Sequence, residues 1–248
     1  MHESHRQRAI RKALLQAEPT RGPVLLTGFP ALDDATGGLP RGTIVELFGT
    51  AGCGKTTLAL QIAAHVQQSG GSAVWIDAEH TFDAAHAARL GVTVDRLPVA
   101  QPDSAEEALE MVRRLAASGA VDLLVVDSAA ALVPEIELAT GIGQPGVGVH
   151  SRVLASGLRR LAAPMRRSGA VALFLNQMRG RPEAAADAPE TAAGGPPLKL
   201  FSAVRIAMRA DVPGGRPAAL RVVKNRASAA VAECPLAWRR GAGFAESP

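Results

Sequence analysis

The sequence predicts an α/β fold: a mostly parallel, twisted central sheet flanked by helices, with antiparallel edge strands near the C-terminus. Three observations carry this. Four short apolar runs, TIVELFG, SAVWIDA, VDLLVVD and AVALFLN, each read as a buried strand. Helical patterns near residues 55–68, 83–90, 104–118 and 151–168 lie among them, and strands joined through helical crossovers run parallel. After residue 197 the helices stop, and SAVRIAMRA, AALRVVKN and AECPLAWRR read as strands that extend the sheet, antiparallel to one another.

In chain order, residues 5–16, HRQRAIRKALLQ, space Ile10, Leu14 and Leu15 as one face of a short helix, and EPTRGP then breaks it. Residues 1–22 therefore read as a helix on a tether and residues 23–248 as one main domain. Within that domain two stretches rich in Gly, Pro and Ala resist regular structure, ATGIGQPGVGV at 139–149 and RGRPEAAADAPETAAGGPP at 179–197. A structureless run as long as the second is uncommon inside a compact domain unless it binds something; a disordered insertion is the alternative.

Composition narrows the class. Of 248 residues 47% are apolar and 20% charged, the balance of a soluble globular chain. No run approaches the roughly 18 apolar residues of a membrane span, and MHESHRQRAIRK has no apolar segment behind its charges, so no membrane association and a cytoplasmic protein are expected. Cys53 and Cys234 stand in unrelated contexts and read as free thiols. The net charge of +4 hides an asymmetry: residues 22–150 hold six Lys/Arg against fifteen Asp/Glu, whereas residues 151–248 hold sixteen against six. So basic a C-terminal part suits a polyanion such as nucleic acid, or an acidic partner surface; a solvated basic face is the plainer alternative.

The most specific local signal is GTAGCGKTT, comprising Gly49, Thr50, Ala51, Gly52, Cys53, Gly54, Lys55, Thr56 and Thr57, set between a strand and a helix. Glycines let backbone N–H groups turn inward around a triphosphate, the helix presents its positive end, and Lys55 supplies a point charge between the β and γ phosphates. ATP and Mg2+ are the implied ligands, with the Thr56 hydroxyl and Asp127, at the end of VDLLVVD, holding the cation. Hydrolysis also needs a group to polarise water. WIDAEH brings Asp77, Glu79 and His80 to another strand terminus, and Glu79 is the preferred base; an acidic strand-end turn is the alternative. Asn176 and Gln177 end a third strand, where an amide could sense the γ-phosphate.

Taken together, WIDAEHTFD, AQPDSAEEALE, SGAVDLLVVDSAAALVP, FLNQMR, PETAAGGPPLK and RVVKNR resemble the bacterial RecA recombinase family from about Leu26 to Gly243. The resemblance implies a RecA-like P-loop NTPase core that assembles head to tail as a filament on single-stranded DNA, admits duplex DNA for pairing, and acts in DNA repair and the SOS response. It implies that Glu79 activates water, that Gln177 couples the γ-phosphate to a DNA-binding loop, and that Asp83 and His86 lie at the adenine. It further implies that Lys224 and Arg226 reach a neighbour's ATP. Residues 141–149 and 179–196 match the two DNA-contacting loops. Arg152, Arg159 and Arg179 match basic residues near the DNA backbone, with Arg181 a further candidate, while Gly194 and Gly195 would bring main-chain N–H groups to phosphates. The N-terminal helix matches an oligomerisation tether.

Departures from the family pattern concern the handling of DNA. The chain stops soon after Gly243, where the family carries a further C-terminal domain. The second loop has EAAAD at 183–187 where apolar and aromatic residues are expected, and Pro196 follows Gly195 where a main-chain donor is expected. His86 stands for a tyrosine, and Pro164 is expected to bend or end the helix that starts at Ser151. Two function classes follow: a DNA-dependent ATPase and recombinase, or an accessory paralogue that joins another recombinase without its own strand exchange. A ring-forming helicase or clock-type ATPase fits the phosphate loop but not PETAAGGPPLK.

Overall fold

A computed structural model describes residues 24–140, 148–178, 193–210, 217–226, 232–234, 236–239 and 241–246. Strands β1 (Val24–Leu25) and β2 (Leu39–Pro40) form a small antiparallel ribbon around helix α1 (Pro30–Thr36). That helix starts at a proline and stops at Gly37, which takes the left-handed conformation favoured at helix ends. Then follow β3 (Ile44–Gly49), α2 (Lys55–Gln68), β4 (Ala73–Asp77), α3 (Ala84–Arg89), β5 (Val99–Ala100), α4 (Ala105–Ser118), β6 (Leu123–Asp127) and α5 (Glu135–Ala139). The remainder is α6 (Val149–Ser168), β7 (Val171–Gln177), α7 (Pro196–Phe201), β8 (Val204–Ala210), β9 (Pro217–Asn225), β10 (Ala232–Cys234), β11 (Leu236–Arg239) and β12 (Gly243–Glu246).

The central sheet has the order β10-β9-β8-β3-β7-β6-β4-β5. Six of its strands are parallel, while β9 and β10 run antiparallel at one edge. Both faces are covered, which explains why the inner strands are nearly continuous apolar runs. Leu32, Leu58, Ile62, Trp75, Leu173 and Val222 pack on the side of α1, α2 and α3. Val112, Leu124, Leu158, Leu161 and Phe174 pack on the side of α4 and α6. A fully buried side chain of this kind contributes roughly 1.5–3 kcal/mol. Ser104 starts α4 by accepting from Glu107 N at 3.1 Å, while the Glu107 carboxylate reaches back to Asp103 N at 2.8 Å.

Three expectations are corrected. AECPLAWRR is not one strand: β10 extends the sheet, but β11 pairs with β12 in a separate ribbon. Gln61 clamps that ribbon onto α2, accepting from Phe244 N at 2.8 Å and donating to Phe244 O at 2.9 Å. Second, of the two outcomes expected at Pro164, a bend or an end, the end does not occur: α6 runs on to Ser168, and Leu158, Leu161, Pro164 and Met165 are all buried, so packing holds the helix through the missing donor. Third, helices do not cease at residue 197, because Pro196 opens α7 from a position where its absent N–H is harmless. No helix among the described residues is long and apolar enough to cross a membrane.

Candidate nucleotide site

Gly49 closes β3 between Gln177 on β7 and Met208 on β8, and a Cβ there would stand 2.1 Å from the Met208 carbonyl oxygen. Only glycine fits. Gly52 and Gly54 take φ of 73° and 94°, so the chain doubles back before α2 begins at Lys55. Lys55 Nζ lies within the turn, donating to Thr50 O at 2.8 Å and Gly49 O at 3.3 Å, with the buried Cys53 Sγ at 3.7 Å. Thr50, Ala51 and Gly52 are exposed, and the first turn of a helix such as α2 has N–H groups with no intrahelical partner. A glycine turn, a buried ammonium and a helix N-terminus together make a cradle whose chemistry suits phosphate oxygens.

Beside the cradle, Thr56 Oγ1 donates to Asp127 Oδ2 at 2.9 Å. Burial pushes the Asp127 carboxyl up to about 6, against the hydrogen bond from Thr56; Glu79 and Asp77 push it further the same way, while Lys55 opposes them. A cation at this point would relieve that cost. A hydroxyl and a single carboxylate suit Mg2+, which completes its shell with water and substrate oxygens. No cluster of three or more His, Cys, Asp or Glu side chains able to hold a metal occurs among the described residues, so the phosphates would have to supply the remaining ligands.

Glu79 follows β4, where Ala78 N and Glu79 N both donate to Asp127 O, at 2.7 and 3.1 Å. One of its oxygens, Oε1, accepts from Ser128 Oγ at 2.5 Å and from Gln177 Nε2 at 3.3 Å. Asp77, in contrast, is buried and satisfied by Thr81 N, Phe82 N and Gln101 Nε2, so it shapes the turn. Of the two strand-end amides, only Gln177 touches Glu79; Asn176 is fully buried and turned to Glu46 and Ala193. Ser128 is absent from the sequence-derived set. Its only signal there is a hydroxyl residue directly after Asp127.

Asp83 caps α3 by accepting from His86 N at 2.9 Å, a bond that lowers its pKa, and the residue is exposed. His86 Nε2 lies 3.4 Å from Thr57 Oγ1, which seats α3 against the first turn of α2. His86 thus adjoins the start of α2, while Asp83 caps the helix that carries it.

Lys224 and Arg226 are elsewhere. Lys224 pairs with Arg205 and, across β8, with the level of Glu46, whereas the phosphate loop leaves β3 at the level of Met208. The two cations therefore sit at the end of the sheet away from the chain's own loop. There they cap α7: Lys224 Nζ donates to Lys199 O at 2.7 Å and Leu200 O at 3.3 Å, and Arg226 donates to Leu200 O at 2.7 Å. Partial burial lowers the Lys224 pKa, with Arg226 and Arg205 adding repulsion.

Arg152 and Arg159 are exposed on α6. Gly194 and Gly195, with φ of 78° and 74°, adjoin the start of that helix: a Cβ on Gly194 would meet Leu154 at 2.7 Å, and one on Gly195 would meet Ser151 Oγ at 3.3 Å. Arg179, Arg181, most of both long loops and the N-terminal segment 1–22 lie outside the described residues. Clefts of about 420 Å3 by Arg41, His65 and Asp122 and of about 650 Å3 by Glu107, Arg113 and Arg160 involve none of the cradle residues.

A family model for the RecA N-terminal domain matches residues 11–243. The protein RecA of Gluconobacter oxydans is 44% identical over 212 residues, covering 82% of this chain and 61% of that protein. That of Mycobacteroides abscessus is 43% identical over 215 residues, covering 83% and 62%. RecA 1 of Myxococcus xanthus is 41% identical over 238 residues, covering 92% and 70%. The chain thus spans somewhat under two thirds of the first two relatives. With the fold, the phosphate cradle and these matches in agreement, the chain belongs to the RecA family.

Proposed function

We propose that this chain is an ATP-hydrolysing recombinase that assembles head to tail on single-stranded DNA and promotes homologous pairing with duplex DNA in repair. The observation that carries this reading is the convergence of Thr56–Asp127 and Glu79–Gln177 beside Lys55, at the ends of adjacent strands. Loop 49–57 and the first turn of α2 bind the triphosphate. Asp83 and His86 border the base. Magnesium bound by Thr56, Asp127 and phosphate oxygens supplies positive charge against those oxygens. Glu79 has one oxygen committed to Ser128 and Gln177, and the other accepts a proton from the attacking water. Gln177 exchanges its bond to Glu79 for one to the γ-phosphate and so reports nucleotide state to the loop that follows it. Lys224 and Arg226, directed away from their own cradle, complete that of a neighbour by neutralising charge on the phosphoryl oxygens. Arg152, Arg159, Arg179, Arg181, Gly194 and Gly195 contact the DNA backbone without reading sequence.

A second reading, an accessory subunit without its own strand exchange, draws support from EAAAD at 183–187, where a less apolar loop weakens self-assembly. Turnover of ATP with and without poly(dT), joined to negative-stain microscopy, tests both. The first reading expects hydrolysis stimulated by DNA, lost on Lys55→Ala, and long regular filaments. Equal turnover in both conditions counts against it, and isolated particles that gather only beside another recombinase favour the second.

A further inference from the structure

Within the apolar run of β3, Glu46 is completely buried, and on the same face of the sheet lie two more buried polar side chains, Asn176 of β7 and Arg205 of β8. Both Glu46 oxygens are engaged: Oε1 accepts from Asn176 Nδ2 at 2.9 Å and Oε2 from Arg205 Nε at 2.5 Å. The guanidinium also lies 4.3 Å from the centre of the Phe48 ring. Asn176 gives its second amide proton to Ala193 O at 3.0 Å, and its Oδ1 accepts from Gln177 N at 2.9 Å. Ala193 N donates to Gln177 O at 2.8 Å. These contacts fix the amide orientation, since the reverse would set Oδ1 against a carboxylate and a carbonyl.

We infer that Glu46, Asn176 and Arg205 are positioning residues: a buried relay that holds Gln177 and Ala193 as one unit and ties both to β8, the strand paired with the one bearing Lys224. The relay rests on the ATPase reading above. Its members are buried, and the one of them bonded to Gln177 is Asn176, so their effect on the site passes through Gln177. Apolar side chains of similar volume would serve stability as well or better, because two charges are desolvated here. They would not fix the backbone at 176–177 relative to 193 through directed bonds. One end of the relay meets Glu79 through the Gln177 side chain, and the other meets β9, where Arg205 is the register partner of Lys224. A displacement of Gln177 by nucleotide is thereby passed to the stem of the second loop and towards the cations that serve the adjoining protomer.

The test compares the parent with Asn176→Ala and with the paired change Glu46→Leu/Arg205→Met, which keeps the site filled and uncharged. Hydrolysis is measured with and without poly(dT), affinity with a fluorescent ATP analogue, and folding by thermal melting. The relay predicts that the DNA-stimulation ratio falls by about tenfold while nucleotide affinity shifts by less than about twofold. A folded variant with the parent's ratio overturns it. A second measurement needs no variant: hydrogen exchange at 193–195 in the parent, with and without a slowly hydrolysed ATP analogue and magnesium. A nucleotide-dependent change is expected, and unchanged exchange overturns the relay. Absence of any DNA stimulation in the parent would instead sink the ATPase reading, and the relay with it; stimulation shared equally by parent and variants would sink the relay alone.

Discussion

Replacing Asp127 by asparagine should stabilise the metal-free protein while removing its hydrolysis. The carboxyl is raised from an ordinary 3.8 to about 6, chiefly by burial. An acid whose folded pKa is raised binds its proton more tightly when folded. Its contribution is neutral below about pH 4, where both states are protonated, and becomes a penalty as pH rises through 6. A shift of roughly two pKa units corresponds to about 3 kcal/mol at pH 7.5. Asparagine keeps an oxygen to accept from Thr56 and carries no charge beside Glu79 and Asp77. Asp127→Asn should therefore raise Tm in chelator at pH 7.5 by up to about 10 °C, given roughly 2–4 °C per kcal/mol for a chain of this size. The difference should shrink towards zero near pH 4, and magnesium with ATP should stabilise the parent alone. Thermal melts of both proteins across pH 4–8 measure this. A variant no more stable than the parent at pH 7.5, or a difference that ignores pH, would refute the assignment of a lone buried charge awaiting a cation.

Arg226→Ala and Lys55→Ala should each lose DNA-stimulated hydrolysis by at least about a hundredfold, and mixing them should restore part of it, because some interfaces then join an intact loop to an intact Arg226; a mixture as inactive as its components would place the cation's role elsewhere. Gly49→Ala should cost about 3 kcal/mol or more in chemical denaturation, since the new methyl meets the Met208 carbonyl at 2.1 Å. Cys234, buried and with its pKa pushed up to about 12 by that burial, should resist alkylation at pH 8 in the native protein and react once denatured, as read by mass spectrometry.

Much of the fold was legible because burial leaves periodic traces. Four apolar runs and four helical spacings correspond to β3, β4, β6, β7, α2, α3, α4 and α6 with ends displaced by a residue or two. Two-residue strands such as β1, β2 and β5 have no period to detect, and α5 and α7 span barely more than one turn. The cradle was legible for a different reason: the turn needs its glycines, lysine and hydroxyl residue in consecutive positions. Contacts between distant residues leave no such trace. Glu46 is 130 positions from Asn176 and 159 from Arg205, so nothing within IVELFG points to its partners, which only the pairing of β3 with β7 and β8 brings to it. Ser128 likewise carries no sequence mark, because its partner Glu79 lies 49 positions away beyond the end of another strand.

The separation of Lys224 and Arg226 from the chain's own loop gives any array that uses both a built-in polarity. In such an array each protomer would offer its cations in one direction and its cradle in the other, so the outermost cradle at one terminus would go unserved. A pair would have one working site out of two, whereas a long row would lose only a negligible share, and output per subunit would climb with length. Two copies facing each other about a twofold axis would have to bring both ends of the sheet into a single contact to do as well.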